Sequence, residues 1–396
     1  MTELKISTNR FKMWRNRARR LCANLAIPAA RLQGDQTRPD DYFSCVVGWA
    51  NSDSRAAGEG YEEIESPFAH DRILTEGLLN SPLGEHFRGL WPGVATRQFR
   101  LVLKNARVYG MRGVVVHQSN RIFAELTFEY ATETKDLSFW NAVKIPQVKE
   151  KKGRVGVAHS MSCENYSHWV MEVVPQLIRL KHDLENGEID WIYVRYEKDY
   201  QKEWIDLIGI DPDRIIKAGD DNHIAAETMV VYSMPMRNCD FSKKQLEIFR
   251  TLVDYNAVPP TRKKIFVGRE GGNRSFALSD GDLKSVVEEC GYEYLLMENL
   301  SVKEKIRKFT EASVIAGPHG AGLGGLVFLQ PASAELREIH SPLIPNLCYW
   351  RIADTLSLQY STMLGTIVPK SAAPKAKKVH RPITVSASEL RCFLAN

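Results

Sequence analysis

The sequence predicts an α/β protein built from two Rossmann-like, doubly wound halves that face a cleft, and three observations predict it. From about residue 155 short apolar runs alternate with amphipathic segments, the pattern of repeated βα units around a parallel sheet. The alternation stops at Asn256-Ala257-Val258-Pro259-Pro260-Thr261, which reads as a linker, and then restarts. Late in the chain a glycine-rich loop, Gly317-Pro318-His319-Gly320-Ala321-Gly322-Leu323, stands between an apolar strand and an apolar helix. At 396 residues the chain is long enough to bury two cores.

Residues 1–95 read as a basic helix followed by an irregular region. The helix, Phe11 to Leu25, sets Arg15, Arg17, Arg19 and Arg20 beside Phe11, Trp14, Leu21 and Leu25. Such a helix either docks by its apolar edge or lies peripherally on an anionic membrane face. Residues 96–255 form the first half. Near residues 99–130, Val108-Tyr109, Val114-Val115-Val116 and Ile122-Phe123 are separated by Gly110, Gly113 and Gln118-Ser119-Asn120, which predicts a small antiparallel β meander. Strands at Trp191–Val194 and Met229–Tyr232 then alternate with helices at Tyr200–Ile208 and Lys243–Tyr255.

Residues 262–365 form the second half. Ile265–Val267 is a strand. Ser279–Cys290 is a helix capped by Ser279, with Asp282 three residues on and Gly291 at its end. Tyr294–Leu296 is a strand, and Ser301–Ala312 a helix with a capping box of Ser301 and Glu304. Ser313–Ala316 leads into the glycine loop, Leu323–Phe328 into a buried helix, and Glu335–Ile339 is the strand after it. Residues 366–396 comprise a flexible basic tail, Lys370–Arg381, and a terminal helix around Ser388–Leu394.

Composition excludes several classes. Hydrophobic content of 44% with 26% charged residues describes an ordinary globular protein. A net charge of +5 suits an anionic ligand, but no basic stripe interleaves with aromatics, so nucleic acid is not an expected partner. Seven scattered cysteines with no Cys-x-x-Cys pair argue for reduced thiols and against a disulfide framework or structural zinc. With no apolar run of roughly 18 residues and no signal-peptide core, the expected location is cytoplasmic, with the basic helix available for the inner membrane face.

Three groups of residues could carry chemistry. A strand-to-helix glycine loop turns backbone N–H groups and a helix dipole toward an anion, or its glycines merely permit close packing. In Asn165-Tyr166-Ser167-His168-Trp169-Val170-Met171-Glu172-Val173-Val174-Pro175, Asn165 caps a helix that sets His168 and Glu172 one turn apart on one face. That pair could poise either residue as a general base, or be an ordinary ion pair. After Ile265–Val267 come Gly268-Arg269-Glu270-Gly271-Gly272-Asn273-Arg274, placing two arginines at the carboxyl end of a strand, where ligands of open α/β sheets bind. Glu338, at the end of a later strand, could accept ribose hydroxyls. Gly320, Gly322 and Gly325 with Glu338 also satisfy a dinucleotide fingerprint, so an NAD(P)-dependent oxidoreductase is a rival. Asp211-Pro212-Asp213 and Asp280-Gly281-Asp282 fall at turns and helix starts and read as caps; no metal site is expected.

Taken together these motifs resemble glycosyltransferase family 61. The resemblance rests on Asn165-Tyr166-x-His168-Trp169-x-x-Glu172-x-x-Pro175, on Arg269 with Arg274, and on Gly317-x-His319-Gly320-Ala321-Gly322-Leu323 followed by Glu338-Ile339. It runs from about residue 100 to 365 and departs from the family at Gly271-Gly272 and at Ser279-Asp280, where the family has Asn-Glu. It implies a GT-B-like fold and inverting, metal-independent transfer from a nucleotide sugar, usually a UDP-sugar, to a hydroxyl acceptor. It also implies the bacterial branch that builds capsule or lipopolysaccharide, so a glycan or glycolipid acceptor, with no cofactor beyond the donor. On this reading Arg269, Asn273, Arg274, His319, Gly320, Ala321, Gly322, Leu323 and Glu338 hold the donor in the second half. His168 or Glu172 is the base on the acceptor side, in the first. A nucleotide-sugar-binding protein without turnover is the other alternative on the same fold.

Overall fold

The structure, a computed structural model, describes residue 39 and residues 41–395 apart from 70–73, 90–93, 128–132, 138–139, 141–144, 236–239, 258–262, 272–273, 331–333, 344–345 and 375–379. It is a mixed α/β fold with two main sheets. The expected helix at Phe11–Leu25 and most of the expected linker lie outside the described residues.

The first sheet has nine strands. Its parallel part runs His223–Tyr232, Lys149–Val157, Trp191–Val194, Ile215–Lys217 in space. The antiparallel strands near 99–130 are not a separate meander. Gln98–Tyr109 is 12 residues long, so it pairs with His223–Tyr232 along one edge and still carries Gly60–Glu65 and Val114–Val116 on the other. A strand of that length fuses the meander to the parallel sheet.

The second sheet is all parallel. Its spatial order is Glu293–Leu295, Lys263–Val267, Ala312–Pro318, Glu335–His340, Gln359–Leu364. In chain order this is 2-1-3-4-5, so the winding reverses between Lys263–Val267 and Ala312–Pro318, and the crevice at their carboxyl ends is the topological switch point. Alternate residues serve opposite faces. Phe266, Ala316 and Ile339 pack with the helices Leu283–Glu289 and Ala387–Ala395. Ile265, Val267, Ile315 and Leu336 pack with Val302–Thr310, Ala321–Phe328 and Cys348–Thr355.

That second face is continuous with the core of the first half. Trp169, Val173, Leu177, Trp204 and Phe249 belong to the same buried cluster as Leu326 and Phe328. The Trp204 and Phe328 rings stack at 6.0 Å, and Phe249 meets Phe328 edge-on at 5.8 Å. The segment after the glycine loop is thus gripped from both halves.

Two local expectations are corrected. Leu323–Phe328 is not an α-helix but part of a 3-10 run, Ala321–Phe328, consistent with the weak helix propensity of Gly322, Gly324 and Gly325. The helix expected from Ser279 begins at Leu283 with Asp282 as its cap, because Gly281 at φ +104° cannot belong to a helix. Residues 375–379 of the expected flexible tail lie outside the described residues; just after the tail, Ile383–Val385 forms a strand that the sequence reading did not foresee, antiparallel to Thr366–Ile367 and parallel to Phe276–Leu278. The Ser301–Glu304 capping box forms as expected.

The glycines after the loop have a testable cost. A β-carbon on Gly325 would lie 2.2 Å from Phe309 Cδ2, a ring 1% exposed. Gly325→Ala is expected to lower stability by about 1–3 kcal/mol. Gly89→Ala, where nothing lies within 4 Å, should not. Urea midpoints of the two variants against wild type check this, and equal midpoints would show that the Phe309 contact is slack.

Candidate functional site

The switch point is where the glycine loop and the arginine loop meet. Gly317, at φ +154°, brings the loop so close that a β-carbon there would lie 2.5 Å from Val267 O. Arg269 Nη1 donates to His319 O at 2.9 Å, and a β-carbon on Gly320 would lie 2.3 Å from that same nitrogen. Gly320 therefore clears the space in which the guanidinium rests. Gly322 and Gly325 instead admit Val267 and Phe309, so part of the glycine pattern serves packing. Tyr349 OH donates to Gly320 O at 2.7 Å from the neighbouring helix. Burial, and then the nearby charge of Arg274, pull the Arg269 pKa below its ordinary value. Neither arginine makes an ion pair among the described residues. Asn273, named with them from sequence, lies outside the described residues.

Glu338 does not stand where a ribose could reach it. It is fully buried, and both oxygens are engaged: Oε1 by His319 Nδ1 at 2.6 Å, Oε2 by Tyr360 OH at 2.9 Å and His340 Nε2 at 3.2 Å. Burial alone would raise its pKa. The His340 charge and the His319 hydrogen bond outweigh that and hold the carboxyl well below its ordinary range. An ionised carboxylate must accept, so His319 carries its proton on Nδ1, which fixes the ring beside the loop with its side chain 12% exposed. The expectation that Glu338 binds a ligand hydroxyl is corrected on this ground: it orients His319. The oxidoreductase reading loses the acid it needs by the same observation. Ligand atoms of His319, Glu338 and His340 lie within 4.8 Å of one another, so these three could surround a cation, which would have to displace the protons that Glu338 now accepts.

Asn165 caps the first helix of the other motif, its side chain accepting from Ser167 N at 3.0 Å. The helix widens to a π turn at Trp169–Val173, the kind of irregularity that accompanies functional sites. His168 Nδ1 donates to Glu172 Oε1 at 2.5 Å, and Ser160 Oγ donates to Glu172 Oε2. Glu172 is 1% exposed, while the His168 side chain keeps 29% of its surface. Burial would lower the His168 pKa, but the hydrogen bond and charge of Glu172 prevail and raise it.

These two motifs, 150 residues apart in the chain, are packed together. A β-carbon on Gly324 would lie 3.3 Å from Ser167 Cα, so the first turn of the His168 helix rests on the run that follows the glycine loop. The aspartate pairs stay outside the site: Asp211 and Asp282 accept from Asp213 N and Ser285 N as caps, and Asp280 accepts from Ala387 N. Sequence reading missed Ser160, His340, Tyr349 and Tyr360. Each is ordinary in its local pattern, and no short spacing marks it.

The raised His168 pKa carries a sign. Its contribution to stability is fully present below the unfolded value of about 6.5 and is lost as pH rises through the folded value. Titration of the His168 ring by NMR is expected to give a midpoint above about 6.5 in the wild type and a lower one in Glu172→Gln, where the charge of Glu164 still opposes burial but that of Glu172 is gone. A midpoint that does not move would show that Glu172 is not the cause.

No curated protein matches the chain. Residues 166–335, from the helix that bears His168 to the start of the strand that bears Glu338, match the model of the family described as Glycosyltransferase 61, and this match supports reading the chain as a glycosyltransferase of that family.

Proposed function

We propose that the chain is an inverting, metal-independent glycosyltransferase. It moves a sugar from a nucleotide donor, a UDP-sugar, to a hydroxyl of a surface-polysaccharide or glycolipid acceptor of the bacterial capsule or lipopolysaccharide kind. The observation that carries this reading is the seam between Ser167 and Gly324, which sets a carboxylate-backed histidine against the switch-point loop, whose arginines make no ion pair among the described residues. In this reading the halves work as in a GT-B enzyme, residues 96–255 receiving the acceptor and 262–365 the donor.

The donor diphosphate lies along Gly320–Gly322, beside Arg269, at the start of the 3-10 run. As the acceptor oxygen attacks the anomeric carbon, the bond from that carbon to the diphosphate oxygen breaks and the leaving group gains charge. Arginine and the loop N–H groups stabilise this charge more in the transition state than in the ground state. The acceptor proton passes to His168. Of the two candidate bases, Glu172 is buried behind the imidazole, so the carboxylate orients the ring and stabilises the imidazolium that forms. The positive charge that a divalent ion would supply comes from Arg269 and Arg274.

UDP release from a panel of UDP-sugars, with EDTA present, tests the reading. His168→Asn is expected to reduce turnover by about 10²–10⁴-fold while UDP affinity holds. Activity lost in EDTA would overturn the metal-free mechanism. UDP binding without release on any acceptor would make the chain a binding protein, and NADH binding without UDP binding an oxidoreductase.

A further inference from the structure

Beside His319 the second half holds a small recess open to solvent, lined by Arg274, Pro318, His319, Ser341, Arg381 and Ile383. Its residues come from four segments, and the last two of these lie beyond residue 335, where the family match ends. The C-terminal segment is stitched to the arginine loop. Arg274 N donates to His380 O at 2.9 Å, Arg274 Nε to His380 Nδ1 at 3.2 Å, and Ile383 N to Ser275 O at 3.0 Å. Phe276–Leu278 then continues in register with Ile383–Val385. Arg274 holds φ +62°, a conformation uncommon for arginine, and the His380 bonds secure it there.

Two guanidinium groups and an imidazole thus share one recess, and among the described residues neither Arg274 nor Arg381 makes an ion pair. Burial lowers the Arg274 pKa. A half-buried cluster of like charge is costly unless an anion completes it. Forked donors on two sides favour a tetrahedral oxyanion with several acceptor oxygens.

We infer that Arg381, delivered by the C-terminal strand, is a second phosphate-binding cation of the site, and that with Arg274 it grips a phosphoryl group of the donor's nucleoside diphosphate. This rests on the donor reading above for the identity of the ligand, though not for its charge. The tail that the sequence presents as a basic extension becomes a wall of the donor pocket.

Calorimetric titration of the full chain with UDP and with inorganic pyrophosphate tests the inference. Wild type is expected to bind both, and Arg381→Gln to weaken both by about tenfold or more with an unchanged melting temperature. Lys370→Gln, an exposed change in the same basic segment, should leave both affinities intact. Should Arg381→Gln not fold, phenylglyoxal modification of Arg381 in the wild type, followed by mass spectrometry, is expected to slow at least about fivefold in pyrophosphate. Unaltered pyrophosphate affinity in Arg381→Gln, unaltered labelling, or no pyrophosphate binding by the wild type would overturn the inference. Pyrophosphate binding that depends on Arg381, without UDP binding, would keep the recess and overturn the UDP-sugar reading instead.

Discussion

A carboxylate with no exposed surface, Glu338, is the constraint around which the second half is arranged. An ionised carboxylate cannot remain in a protein interior unless its oxygens are met, and breaking one such set of partners costs about 3–5 kcal/mol. Here the partners come from the loop above, from the strand beside it and from its own strand: His319, Tyr360 and His340. Satisfying Glu338 fixes the His319 ring, and the His319 carbonyl in turn receives Arg269. The switch-point loop therefore inherits its geometry from a fully buried charge.

The other half of the site repeats this construction. In both, a buried carboxylate accepts from the Nδ1 of a histidine that keeps some exposure, Glu172 under His168 and Glu338 under His319. The arrangement sets the tautomer and aim of an imidazole without presenting the carboxylate itself to the ligand. The two units differ in what surrounds them. His168 stands on a helix with a π turn; His319 stands beside arginines that make no ion pair among the described residues. The first setting suits proton transfer and the second anion binding.

Close approach joins them. Gly324 lets Ser167 rest on the 3-10 run, and Phe328 at the end of that run is held by Trp204 and Phe249 from the first half. Any displacement of one half against the other must disturb this packed seam. The distance between the two histidine units is thereby tied to the core.

Sequence alone determined whatever depends on near neighbours in the chain. Asn165 as a cap, the His168–Glu172 pair one turn apart, the Ser301–Glu304 box and the apolar strands of the second sheet all follow from spacings of one to four residues. Local chemistry suffices there because the partners share one helix or strand. Tertiary structure decided what depends on pairing between remote segments. It fused the meander to the parallel sheet through Gln98–Tyr109, buried Glu338 under His319, and brought His380 and Arg381 to Arg274 across about a hundred residues. A carboxylate near a strand end reads the same in sequence whether it faces solvent or two histidines. Only the neighbouring strand Gln359–Leu364, which supplies Tyr360, decides which.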